Sequence, residues 1–179
     1  MRWMNAEKWW PLFKFEVPGE PRGKGRPRFA RASGRAYTDS ATRHYEDRIA
    51  IAATAAWDGD PIARDVPVKL LLRATFARPG NRYRKKDEES GTTTRTARPD
   101  LDNICKAALD GITLAGIWAD DSQVTEIHAS KRMSKIIDRK SKTCAAPNLW
   151  ICVEIPEAVF IDLGVFPSGQ SRTATREIE

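Results

Sequence analysis

The side chains best suited to chemistry are acidic and fall in one stretch. Pro99-Asp100-Leu101-Asp102-Asn103 is followed by Lys106 and Asp110, and then by Gly116-Ile117-Trp118-Ala119-Asp120-Asp121-Ser122-Gln123-Val124. In an extended segment Asp100 and Asp102 point to the same side, and Pro99 favours extended geometry before it. Two such anions repel each other. A hard divalent cation between them removes the repulsion, and an all-oxygen donor set suits magnesium, or manganese in its place. Asp120 and Asp121 are neighbours, so their side chains diverge. Asp121 is expected to join Asp100 and Asp102 as a metal ligand, with Asp120 as a supporting ligand. Lys106 returns to the helical face of Asp102 one turn on. An ammonium there could contact a phosphate and stabilise developing charge. Each piece also has a plain reading: Asp100 and Asp102 as helix caps, Asp102-Lys106-Asp110 as an exposed charge stripe, and Asp120-Asp121 as a solvated turn.

The elements around this stretch must hold it in place. Leu101, Ile104, Cys105, Ala108, Ile112 and Ala115 predict a helix over Asn103–Ala115, with Asn103 as a capping residue and Gly116 at the C-terminal cap. Upstream, Phe13, Phe15 and Val17 alternate as a strand that Pro18-Gly19 ends. A helix follows from Asp39 or Ser40, with Tyr45, Ile49, Ala52, Ala53 and Ala56 on one face. Val68–Phe76 is the clearest strand, and the polar segment from Ala77 to Pro99 lacks periodicity. A further strand is expected over Gln123–Arg132, where His128 and Glu126 read as strand residues, and the last over Leu149–Ile155. This order predicts an α/β (α+β) fold, a single domain whose mixed four-stranded sheet is packed by helices. The domain would cover residues 13–156. A tryptophan-rich cap, 1–12, with Trp3, Trp9 and Trp10, would precede it, and an arm and frayed tail, 157–179, would follow.

With 179 residues, 41% hydrophobic and 30% charged, the composition is that of a globular chain. No apolar run is long enough to cross a bilayer, and the start lacks a signal-peptide pattern, so no membrane is expected and the cytoplasm is. Three scattered cysteines and two histidines exclude a disulfide framework and a structural zinc site. The net charge of +6 is unevenly spread. Pro21 to Thr38 has no acidic residue and carries Arg22, Lys24, Arg26 and Arg28; a second basic group is Arg82, Arg84, Lys85 and Lys86. Cations of this kind neutralise nucleic-acid phosphates, which a carboxylate cluster alone would repel. Gly23-Lys24-Gly25 lacks the Gly-Lys-Ser/Thr ending of a P-loop, so no nucleotide cofactor is expected.

Taken together, Asp100-x-Asp102-Asn103, Lys106, Asp110 and Gly116-x-x-x-Asp120-Asp121-x-Gln123-Val124 resemble the RusA family of Holliday-junction resolvases. Lys24-Gly25-Arg26-Pro27-Arg28-Phe29, Tyr37-Thr38 and Tyr45-Glu46 resemble its phage and prophage branch. The resemblance covers roughly residues 13–155 and implies a homodimer with two acidic sites facing opposite strands of a four-way DNA junction. It implies that Asp100, Asp102 and Asp121 are metal-binding catalytic residues and Lys106 an essential basic one. The expected reaction is magnesium-dependent phosphodiester hydrolysis by paired symmetric nicks, serving DNA recombination and repair in a bacterial host cell. The alternatives are a structure-selective nuclease for forks or flaps, or an inactive junction-binding protein.

Overall fold

The computed structural model describes residues 8–26, 28–29, 36–37, 39–79 and 94–162. Its elements are β1 (Trp9–Pro18), β2 (Arg28–Phe29), β3 (Ala36–Tyr37), α1 (Ser40–Ala56), β4 (Val68–Phe76), α2 (Leu101–Leu114), β5 (Val124–Met133), β6 (Ile136–Asp138), β7 (Thr143–Cys144), β8 (Asn148–Pro156) and α3 (Glu157–Asp162). The main sheet has the order β1-β8-β4-β5. β8 pairs antiparallel with both β1 and β4, whereas β4 and β5 run parallel, so the sheet is mixed as expected. Two parallel neighbours need a crossover, and α2 provides it.

Alternation decides which face is buried. Phe13, Phe15 and Val17 of β1, Val68 to Phe76 at every second position of β4, and Leu149, Ile151, Val153 and Ile155 of β8 all enter the core. α1 and α2 cover that face. Thr42, Tyr45, Ile49 and Ala53 recur on the buried side of α1, while Ile104, Ala107, Ala108, Gly111 and Ile112 do so on α2. The two helices approach closely at Gly111, where a Cβ would lie 2.6 Å from that of Ile49. Glycine is what permits this contact. The opposite face is half-buried and charged, with Lys69 bridging Glu126 and Glu154 at 3.7 Å each.

β1 begins at Trp9, earlier than the alternation from Phe13 signals, so Trp9 and Trp10 are strand residues. The weak alternation of β5 reflects its place at the sheet edge, with Thr125 to His128 exposed. Sequence reasoning missed the short β6–β7 pair, where Asp138 accepts bonds from Lys140 N and Ser141 N in a turn. All three cysteines are free thiols.

Candidate active site

α2 starts at Leu101, two residues before the expected Asn103, because the Asp100 carbonyl already accepts from Ile104 N at 3.2 Å. Only Asp100 is extended (φ −71°, ψ 147°); Asp102 lies in the first helical turn. Residues two apart on a helix do not share a face. The parallel display expected of Asp100 and Asp102 is therefore replaced by two exposed carboxylates flanking the helix start. Asp100 makes no capping bond with its side chain. Asn103 is not a cap either: it sits inside α2, and its carbonyl accepts from Lys24 N at 2.8 Å. Lys106 pairs with Asp102 at 3.3 Å, and both side chains are well exposed. Such an i,i+4 surface pair contributes about 0.3–0.5 kcal/mol, so it orients the ammonium more than it stabilises the fold.

The second acidic group is built by a 3-10 turn, Asp121–Gln123, after the reversal at Gly116 (φ 71°). Trp118 is buried and donates to Thr113 Oγ1 at 2.7 Å, locking the returning chain to α2. Gln123 is buried too; it accepts from Ala119 N and donates to the Ala63 carbonyl. Asp120 caps the turn, and its bonds from Ser122 hold its carboxyl below the usual range. Asp121 is exposed.

These two groups lie towards opposite ends of α2. Lys131, late in β5, donates to the Pro99 carbonyl at 2.8 Å and so holds the Asp100 turn there. Asp121 sits just before the start of the same strand. The strand from Val124 to Lys131 spans roughly 23 Å, and α2 is roughly 21 Å long. Among the described residues, no three acidic, histidine or cysteine side chains come close enough to hold an ion. The oxygen donors suit a hard cation, but Asp100, Asp102 and Asp121 of one chain do not form a cage for a single ion.

The start of the basic segment is instead brought directly onto the acidic motif. Gly23 packs on Asn103 and Pro99, where a Cβ would lie 3.0 and 3.1 Å from theirs. Gly25 N donates to Thr42 Oγ1 at 3.2 Å. The segment is thus a strap across the N-terminal ends of α1 and α2. Lys24, expected to meet a phosphate, forms an ion pair with Asp110. That hydrogen bond raises its pKa, helped by the charges of Asp110, Glu46 and Asp121. Burial, then the charge of Asp110, pushes the Glu46 carboxyl up. Burial pushes the Tyr45 phenol up to about 12, with Arg48 lying 5.6 Å from its ring centre. Sequence reasoning placed Tyr45 and Glu46 on α1 but missed the Glu46–Lys24–Asp110 grouping, because contacts across 86 positions leave no local signal.

Arg22 and Arg26 are exposed on the strap. For Arg28 only the backbone is described, and Arg82, Arg84, Lys85 and Lys86 lie outside the described residues. His128 is exposed on β5, 3.7 Å from Glu126.

Comparison with known proteins places this arrangement. The family described as Endodeoxyribonuclease RusA matches residues 18–140, from the end of β1 through the strap, α1, α2 and β5. An uncharacterized protein, YqaN of Bacillus subtilis, is 29% identical over 128 residues, covering 68% of this chain and 88% of that protein. The crossover junction endodeoxyribonuclease RusA of Shigella sonnei is 34% identical over 100 residues, 56% of this chain and 61% of that protein. Its counterpart from Escherichia coli K12 is 32% identical over 99 residues, 55% and 66% of the two chains. The match to these two enzymes thus spans less than two thirds of either. The chain belongs to the RusA endodeoxyribonuclease family.

Proposed function

We propose that this protein is a hydrolase that cuts four-way DNA junctions, acting as a homodimer that places paired, symmetric nicks. One observation carries the reading: the family match over residues 18–140 contains both acidic groups and the strap that rests on one of them. In this reading Arg22 and Arg26 hold phosphates of a junction arm at the helix ends. Asp100 and Asp102, with Asp121 and Asp120, are the acidic groups on which cleavage depends, and Lys106 presents its ammonium to the scissile phosphate. Arg28, Arg82, Arg84, Lys85 and Lys86 belong to the proposal as further cations for DNA phosphates, by charge alone. Magnesium, or manganese, belongs to the proposal because an exposed, carboxylate-only donor set selects hard cations. Such an ion polarises phosphate oxygens and acidifies bound water when held. No helix among the described residues is long and apolar enough to cross a membrane.

The test is cleavage of a synthetic mobile four-way junction beside a linear duplex, a fork and a flap of the same sequence, with and without magnesium. Paired nicks on opposing junction strands, dependent on the cation, are expected. Preferential cutting of forks or flaps would replace the junction reading by a broader nuclease. Junction binding with no cutting in any cation would leave only a binding protein.

A further inference from the structure

An open cleft of about 460 Å³ lies along the outer edge of β5, lined by Thr94, Arg95, Leu101, Ser130, Lys131 and Arg132 together with Ala129. It begins at Leu101, between Asp100 and Asp102. Among the described residues no acidic side chain lines it. The backbones of Thr94 and Arg132 pair in an isolated antiparallel bridge. Lys131 spends its ammonium on the Ala97 and Pro99 carbonyls at 2.9 and 2.8 Å, and the Arg95 guanidinium lies 4.3 Å from the centre of the Phe76 ring. Among the described residues the Arg132 side chain makes only a 3.4 Å bond, to Ser130 Oγ. Arg73, next to Ser130 in the β4–β5 register, stacks 4.8 Å from the centre of the Trp150 ring. None of these four cations makes an ion pair among the described residues. Burial, and then the nearby charge of Arg73, lower the pKa of Arg132. Like charges held together without a counter-ion repel, and an anion placed between them relieves that repulsion.

We propose that this cleft is a second DNA site, holding the sugar-phosphate backbone beside the Asp100–Asp102 turn through Arg132, with the Ser130 and Thr94 hydroxyls as further donors and Arg73, outside the lining on the neighbouring strand, adding its charge. The inference rests on the junction-cutting reading and adds to it a track on the sheet edge, apart from the strap. Guanidinium suits the role because its planar fork matches phosphate oxygens.

The test is junction binding by fluorescence anisotropy in chelator, across a salt series, for wild type, Arg132→Gln, Arg132→Lys and Arg73→Gln. Losing one phosphate contact should weaken binding roughly fivefold at 0.15 M salt and lower the slope of log affinity against log salt by about 0.9. Arg132→Lys should keep the slope. Arg73→Gln keeps the test decisive if Arg132→Gln fails to fold, as checked by its melting curve. Wild-type affinity and slope in both glutamine variants would overturn the cleft and leave the nuclease reading intact. A wild type that binds no junction would remove that reading itself. Inorganic phosphate at matched ionic strength separates a free-anion site. If it displaces the junction from neither wild type nor variant, the backbone assignment stands. If it saturates Arg132 while the glutamine variants still bind DNA as wild type does, the assignment falls.

Discussion

Gly25→Ala is a one-atom-group change whose cost can be worked out from its surroundings. A Cβ at Gly25 would lie 2.6 Å from Asp39 Oδ2 and 3.0 Å from Thr42 Oγ1. The backbone of Gly25 does not have a positive φ, so the contact rather than backbone strain is the perturbation. Asp39 is the N-cap of α1 and accepts from Thr42 N and Thr42 Oγ1, each at 3.0 Å. To make room, either the carboxylate leaves those bonds or the strap lifts and loses its own bond to Thr42 Oγ1. Loss of a cap costs about 1 kcal/mol, and one neutral hydrogen bond about 0.5–1.5 kcal/mol. The expected destabilisation is therefore about 1.5 kcal/mol, or roughly 3–6 °C in Tm for a chain of this size. Thermal melts followed by circular dichroism measure it. The decisive control is a double-mutant cycle with Asp39→Ala, which removes the atom that is struck. In that background Gly25→Ala should cost clearly less, leaving only the 3.0 Å approach to Thr42 Oγ1. If it costs the same with and without the Asp39 carboxylate, the proposed contact is not the cause and the account of the strap is wrong.

Three further predictions follow from the site. Asp102→Asn should abolish junction cleavage while leaving binding in chelator within about twofold, because one exposed carboxylate among many phosphate contacts adds little to affinity; wild-type cleavage by this variant would remove Asp102 from the site. Because Asp121 stands towards the far end of α2 from Asp100 and Asp102, a homodimer whose acidic sites are shared between copies should complement. Mixing Asp102→Asn with Asp121→Asn chains, each inactive alone, should recover nicking of one junction strand; no recovery would show that each chain supplies its own complete set. The raised Glu46 carboxyl gives a pH signature. Its folded-state pKa lies above 4.5, so its contribution to stability is full below that value and is lost as pH rises through the folded pKa. Wild type should therefore lose stability relative to Glu46→Gln as pH rises from about 4 to 7; a pH-independent difference in Tm would contradict the buried, Asp110-facing carboxyl.

The sheet and its helices were legible because their signals are local. Period-two alternation marks β1, β4 and β8, and the recurrence of Tyr45, Ile49, Ala52, Ala53 and Ala56 on one face marks α1. The acidic residues and their order were legible too. Their geometry was not. The start of α2 at Leu101 is set by a backbone bond to the Asp100 carbonyl, which turns Asp102 away from the extended arrangement that Pro99 suggests. The sequence offers Lys24 as a phosphate contact and gives no sign of its ion pair, because Asp110 is brought to it only by the tertiary fold. Arg132 and Lys131 carry no signal in the sequence, because isolated cations on an edge strand look like ordinary surface charge. The proposed role comes from the cleft they line, where no described carboxylate stands beside them.

The place of β8 in the middle of the sheet has a consequence for how the molecule is made. Among the described residues β1 has no neighbour in the main sheet except β8, and Trp9 meets Pro156 in that ladder. During synthesis β1 must therefore wait for its strand partner until nearly all of the described chain has left the ribosome, with α1 and Trp57 the earliest cover for Phe13. Pairings of such long sequence separation form slowly. The nascent chain should consequently lean on chaperones, and release from the ribosome before residue 148 should yield an insoluble fragment.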